Sequence, residues 1–272
     1  MRKLLLCPPD YYGIEYEINP WMNRSRKVVP ALARSQWQTL SGTLQSLGCQ
    51  ISLIAPQPRL PDMVFTANAG LVAGQTFIRS NFRFPERGGE AEHFEKWFRE
   101  RDYEVVRLPD KVFFEGEGDA LFCGEVLFCG YRFRSDVRAH QTIGDILKCL
   151  AVSVELVEAR FYHLDTCFCP LPDGSVIWYP RAFDSYGRRA IREHTRHLIE
   201  VAPDEAGHFA CNAIVVGQDI VLPEACPKLC ALLVEGGYRP HAVPMTEFIK
   251  AGGAGKCLAL FLPQRELPGA PP

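Results

Sequence analysis

Four short stretches of this chain carry side chains able to do covalent chemistry. Cys257 ends the run Lys250-Ala251-Gly252-Gly253-Ala254-Gly255-Lys256-Cys257 and opens the apolar run Leu258 to Leu262. Glycine permits close backbone approach and positive φ, so a thiol at the mouth of a buried strand can be held with its sulfur facing a cleft. Such a thiol attacks as the thiolate, which a neighbouring imidazolium favours. His163 and Asp165 stand two apart in Tyr162-His163-Leu164-Asp165-Thr166, and on extended backbone i and i+2 point the same way. Glu115 heads Glu115-Gly116-Glu117-Gly118-Asp119, where glycines admit a ligand close to the backbone and acids exclude a phosphate. Asn68, in Phe65-Thr66-Ala67-Asn68-Ala69-Gly70, supplies an amide. A thiol for attack, an imidazole for proton transfer, and acids with an amide for a cation suit hydrolysis of a guanidinium. Carboxylates can grip its N–H groups while the nucleophile approaches its carbon in line. Each residue also has a bland reading: a small buried hydrophobe for Cys257, a hydrogen-bonded histidine, a capping aspartate, a polar turn, a turn asparagine. It is the set, and no single member, that points to this chemistry.

The elements that must position these residues form a repeat. Each unit reads helix, strand, polar loop, strand, turn, strand. The first helix is expected over about Pro30 to Leu47, with Trp37, Leu40, Leu44 and Leu47 at helical spacing. Strand Cys49 to Ile54 follows, then the polar loop Asp62 to Asn68 and the hairpin Gly70 to Ile78. The pattern recurs with helix Glu90 to Arg101, strand Glu104 to Leu108, loop Phe114 to Asp119 and hairpin Ala120 to Phe128. It recurs again with helix Ala139 to Leu150, strand Val152 to Val157, loop His163 to Thr166 and a hairpin turning at Asp173-Gly174. A fourth unit places a helix over Arg189 to Leu198 and a strand-loop-strand over Phe209 to Val216. The fifth has helix Lys228 to Glu235, strand Pro240 to Val243, the glycine loop and the strand after Cys257. It lacks a third strand, which the N-terminal run Lys3 to Cys7 can supply, closing a ring. The polar loops recur roughly every 45 to 50 residues, a period of arrays and propellers. Stacking such units in a circle gathers Asp62, Asn68, Glu115, Asp119, His163, Asp165, Asn212 and Cys257 at one end; in a generic α/β sandwich they scatter.

Composition bounds the rest. The chain has 272 residues and a net charge of −2, enough for a sizeable core and no bulk reason to bind nucleic acid or an anionic membrane. No apolar run approaches the roughly 20 residues that span a bilayer, and prolines at positions 8 and 9 end the short apolar start. A cytoplasmic protein built as one domain over residues 1–272 is expected, its tail Leu267 to Pro272 frayed. Eleven cysteines without paired CxxC motifs read as reduced thiols rather than a zinc site. No metal and no cofactor are expected.

At the quoted residues the chain resembles the guanidino-group-modifying enzymes, the superfamily of arginine deiminase, dimethylarginine dimethylaminohydrolase and the amidinotransferases. The resemblance covers nearly the whole chain and rests on Pro61 to Asn68, Phe114 to Asp119, His163 to Thr166 and the terminal Cys257. It implies a five-bladed α/β propeller (pentein) fold. It implies that Cys257 attacks the guanidinium carbon, that His163 protonates the leaving amine and then activates water, and that Glu115 and Asp165 hold guanidinium nitrogens. Asp62, Asn68 and Asp119 join them as substrate-binding candidates. Arg87 and Arg134 look like arginines that grip a substrate carboxylate, and Asn19, in Ile18-Asn19-Pro20-Trp21-Met22, looks like a lid contact. Deiminases usually place an acid where Thr66-Ala67-Asn68 places an amide. Arginine dihydrolases, which release ornithine, carbon dioxide and two ammonia molecules, look similar to this chain there. An amide can donate to the neutral ureido oxygen of a citrulline-like product and retain it for a second round. Asp165 favours an unmethylated guanidinium. A deiminase or dimethylarginine hydrolase giving citrulline, an amidinotransferase, and a non-catalytic arginine-binding module stay open. The implied partner is a small guanidino compound, and homo-oligomerisation stays open.

Overall fold

The computed structural model describes residues 1–262; the tail expected to fray lies outside them. Among the described residues five three-stranded sheets make up the architecture. In each, the central strand pairs antiparallel with one neighbour and parallel with the other. Thr76–Arg79 pairs antiparallel with Gly70–Ala73 and parallel with Glu104–Arg107. Ala120–Cys123, Val126–Tyr131 and Leu150–Glu155 repeat this, as do Phe168–Pro170, Val176–Trp178 and Leu198–Glu200, and Ile214–Val216, Asp219–Pro223 and Arg239–Val243. Each parallel neighbour follows a crossover helix, as parallel pairing requires. The fifth sheet joins the two ends of the described chain. Its centre, Lys3–Leu6, runs parallel to Gln50–Leu53 and antiparallel to Leu260–Phe261, with Leu4 opposite Phe261 and Leu5 opposite Leu260. The expected ring closure by the N-terminal run is present.

The helices follow from local sequence. Glu90–Arg99 buries Ala91, Phe94, Trp97 and Phe98 on one stripe, with acids in its first turn and bases in its last, which complements the helix dipole. Pro30–Ser46 and Pro227–Glu235 start with proline at the first helical position. The fourth helix is displaced from expectation: it spans Ser185–His194 because Asp184 caps it, accepting from the Gly187 and Tyr186 amides. It stops there because Thr195 is extended, which leaves Leu198–Glu200 as a strand. The apolar run Phe209 to Ala213 is likewise not a strand. Phe209 has φ of 62°, and a turn holds these residues until Ile214.

The sheets are cut from the repeat at a different point from the sequence unit. A helix and the strand after it finish one sheet, and the polar loop leads to the next. The loops are therefore short turns between sheets: Thr66–Ala69, Gly116–Gly118, Leu164–Thr166 and Lys256–Leu258 are 3-10 turns. They pack on one another. The Thr66 hydroxyl reaches the carbonyls of Leu5 at 2.8 Å and Leu258 at 2.9 Å. Gly116 has φ of +60°, and a Cβ there would lie 2.6 Å from the Gly70 amide and 2.7 Å from the Ala67 carbonyl oxygen. Both the left-handed backbone and the close approach call for glycine. Gly116→Ala is expected to destabilise the protein by about 2–4 kcal/mol, read as a lower urea midpoint; an unchanged midpoint would show that the turns do not pack this tightly.

Candidate active site

The turns bring three polar groups together around one buried point. The first holds the sulfur. Cys257 Sγ lies 3.2 Å from Asp165 Oδ2 and 3.2 Å from Asn212 Nδ2. Asn212 is buried and fully engaged: Oδ1 accepts from the Ala254 and Cys257 amides, each at 3.2 Å, and Nδ2 also donates to the Asp165 carbonyl at 3.0 Å. Backbone amides only donate, so Oδ1 must face them and Nδ2 must face the sulfur. Burial pushes the Cys257 thiol well above its usual range, and the Asp165 charge adds to this; the Asn212 bond opposes it. Burial pushes Asp165 up to about 6, against the pull of Lys256, whose ammonium is 2.7 Å from Glu117.

The second group holds the imidazole. His163 Nε2 is 2.8 Å from Glu115 Oε2, which also accepts from Arg134 Nη1 at 2.9 Å. Burial alone would raise Glu115, but Arg134 and the His163 bond hold it well below the usual carboxylate range. Glu115 is thus an anion committed to orienting an imidazole, and His163 Nδ1 has no hydrogen-bond partner among the described residues. Asp119 supports the turn from behind, accepting from the Leu164 amide at 3.1 Å and from Ser135 Oγ at 2.6 Å. Burial raises Asp119 to about 6.

The third group holds the amide. Asn68 Oδ1 accepts from Arg87 Nη1 at 2.8 Å, and Arg87 grips Glu90 with Nε and Nη2, each at 2.8 Å. Asp62 lies beside this pair, 3.9 Å from Arg87 Nε. Asn68 Nδ2, Asp62 Oδ1 and Asp165 Oδ1 are buried and without hydrogen-bond partners among the described residues. The second and third groups meet over Gly118: a Cβ there would lie 2.4 Å from Asn68 Nδ2 and 3.2 Å from His163 Nδ1. The first and second share the turn that carries both His163 and Asp165. No hydrogen bond joins the sulfur to the imidazole directly among the described residues.

Residues 14–26 strap this centre. Asn19 Nδ2 donates to the Ala251 carbonyl at 3.0 Å while its Oδ1 accepts from the Trp21 amide. Trp21 Nε1 donates to the Arg160 carbonyl at 2.7 Å, and the Ile18 carbonyl accepts from Arg134 Nη2 at 3.1 Å. Arg134 lies against the rings of Phe84 and Tyr162. Arg87 and Arg134 are 3% and 2% exposed, so each guanidinium fork is engaged within the protein. Sequence reasoning gave no role to Asn212, Tyr162, Lys256 or Glu90. Arg134 lies over the Tyr162 ring at 4.6 Å from its centroid, and the Tyr162 hydroxyl donates to the Gly252 carbonyl. Its place beside His163 was the only hint. A separate cavity of about 210 Å³ lies against Lys256, Cys169 and Phe261 and includes none of the candidate residues. Among the described residues no three His, Cys, Asp or Glu side chains stand close enough to hold a metal ion, and no helix is long and apolar enough to cross a membrane.

Residues 14–258 match the family model N,N dimethylarginine dimethylhydrolase, eukaryotic. The chain is 44% identical over 98% of its length to the bifunctional arginine dihydrolase/ornithine cyclodeaminase ArgZ of Synechocystis sp., and spans 38% of that protein. It is 38% identical to the N(G),N(G)-dimethylarginine dimethylaminohydrolase of Mycobacterium tuberculosis, over 95% of this chain and 85% of that one. Crystal structures of the ArgZ N-terminal domain superpose closely. One, of an asparagine-to-serine variant covalently bonded to a reaction intermediate, has a TM-score of 0.95 at 42% identity, covering 98% of this chain and 100% of the other. Another, of a cysteine-to-serine variant with substrate, has a TM-score of 0.94 at 42% identity, covering 97% of this chain and 99% of the other.

Replacing Asn212 by leucine keeps the branched shape but removes the side-chain amide that donates to the sulfur. Alkylation of Cys257 by iodoacetamide should then need a higher pH, and guanidine turnover should fall roughly tenfold or more. An unmoved alkylation profile would show that Asn212 serves the backbone alone.

Proposed function

Because this chain belongs to the N,N dimethylarginine dimethylhydrolase family, we propose that it hydrolyses the guanidinium group of arginine or a close derivative, as an arginine dihydrolase. The observation that carries this reading is the buried pairing of Cys257 with Asp165, beside an imidazole oriented by an ionised Glu115. Buried around the site are the carboxyls of Asp62, Glu90, Glu115, Glu117, Asp119 and Asp165 and the cations Arg87, Arg134 and Lys256. An excess of acid over base in low dielectric attracts a cation. A guanidinium would accept hospitality from the unpartnered oxygens of Asp165 and Asp62, with Arg134 freed for the carboxylate as the 14–26 strap opens.

In this mechanism the entering cation favours loss of the proton from Cys257, which passes to His163 Nδ1. The thiolate adds to the guanidinium carbon, and His163, through Nδ1, gives its proton to the departing nitrogen, which leaves as ammonia. The amidino-thioether is then attacked by water that His163 deprotonates, breaking the C–S bond and giving a ureido product. Asn68, a neutral donor, suits retention of that product for a second round, after which ornithine, carbon dioxide and a second ammonia leave. Similarity to ArgZ over nearly the whole chain supports the choice of two rounds. Similarity to the mycobacterial dimethylaminohydrolase supports a second reading, single-round release of an amine from dimethylarginine.

Stoichiometry separates them. With arginine, the purified protein is expected to release two ammonia molecules per ornithine with little free citrulline. Citrulline as the end product, or turnover of dimethylarginine alone, would contradict the dihydrolase reading. Cys257→Ser should abolish turnover and still bind arginine; a variant that still turns over would remove Cys257 as nucleophile.

A further inference from the structure

The Asn68 amide can face the reaction in two ways, and its surroundings select one. Its backbone is pinned: the amide donates to the Phe65 carbonyl at 3.1 Å, and the carbonyl accepts from Ser80 Oγ. Its side-chain oxygen faces Arg87 Nη1. A guanidinium has donors and no acceptor, so turning the amide over would set N–H against N–H. Arg87 cannot turn aside either. It is buried, held along its Nε–Nη2 edge by Glu90, bonded through Nη2 to the Asp62 carbonyl at 3.2 Å, and stacked on Phe82 at 4.6 Å. The N–H2 group of Asn68 is therefore directed to the side where Gly118 and His163 Nδ1 lie.

We infer that Arg87, locked by Glu90, is a positioning residue that keeps the Asn68 amide turned with its donor toward the reacting carbon, and so decides whether the first product is kept or released. The inference rests on the dihydrolase reading. A cationic guanidinium has only N–H groups to offer and would favour the amide oxygen; a ureido product has an oxygen to be held and favours the N–H2. Without Arg87, arginine itself would turn the amide over, and the ureido product would lose its donor. The same residue was expected to grip the substrate carboxylate, and the two roles differ in what they control. A carboxylate grip sets the KM for arginine. An amide lock sets the partition between citrulline and ornithine.

The test measures both quantities in Arg87→Met/Glu90→Met, which removes the buried charges together, a change that buried ion pairs often tolerate. Thermal melting checks the fold, and Arg87→Lys, which keeps a cation against Glu90 without the planar fork, is read in the same way. The expected result is a citrulline-to-ornithine ratio about tenfold above wild type or more, whatever the change in the KM for arginine. Asn68→Asp, with no donor, should give the same shift in ratio. An unchanged ratio with a raised KM would overturn the inference and return Arg87 to the carboxylate. If wild type releases citrulline alone, the dihydrolase reading fails and this inference fails with it, whereas ornithine from wild type with an unchanged ratio in the variant sinks the inference only.

Discussion

Charge taken out of water has to be balanced in place, and this site is organised by that constraint. An isolated buried ion is far costlier than a paired one. Glu115 is balanced by Arg134 and His163, Glu90 by Arg87, and Glu117 by Lys256. Burial raises Asp62, Asp119 and Asp165 above their ordinary range, and raises Glu90 to about 7 even against Arg87. The thiol of Cys257 sits beside Asp165 and is raised with it. A cation of guanidinium size and shape is the complement to this imbalance: it favours the ionised aspartate and the thiolate together. The same charge that makes the group a substrate activates the nucleophile that attacks it.

The ring architecture is what permits such a density of ions. Because the sheets are separated by short turns, each turn contributes one or two side chains to a shared centre, while its flanking strands bury apolar residues on both sides. Gly116 and Gly118 both serve contact here, and Gly116 also supplies a left-handed backbone. The first lets two turns touch backbone to backbone, and the second lets the Asn68 amide approach the imidazole. The strap formed by residues 14–26 bonds to carbonyls of Ala251 and Arg160 and to Arg134, so the strap and Arg134 hold one another in place.

Much of this could be read along the chain. Helix and strand periodicities revealed the repeat, and the short run Lys3 to Cys7 was legible as the strand that closes it because the last unit lacked one. The gathering of Asn68, His163, Asp165, Glu115 and Cys257 followed from the repeat. What could not be read was pairing across turns. Glu90 looks like an ordinary first-turn helix acid, and only the fold shows it holding Arg87. Asn212 was seen as one of the converging residues, but that it bonds the sulfur depends on Ala254 and Cys257 amides some 42 and 45 residues away. Phe209 to Ala213 read as strand because apolar runs do, and the positive φ of Phe209 leaves no mark in composition. The start of the fourth helix was misplaced because apolar spacing alone set it, whereas the fold shows Asp184 capping it.

The claim that an ionised Asp165 and a cationic substrate complete one another is tested most directly by binding. Calorimetric titration of Cys257→Ala with arginine and with citrulline, its neutral counterpart, should be run between pH 5 and pH 8. With Asp165 titrating at about 6, arginine affinity should fall about tenfold from pH 7 to pH 5 while citrulline affinity stays level. Arginine binding that is equally tight across this range would contradict the account.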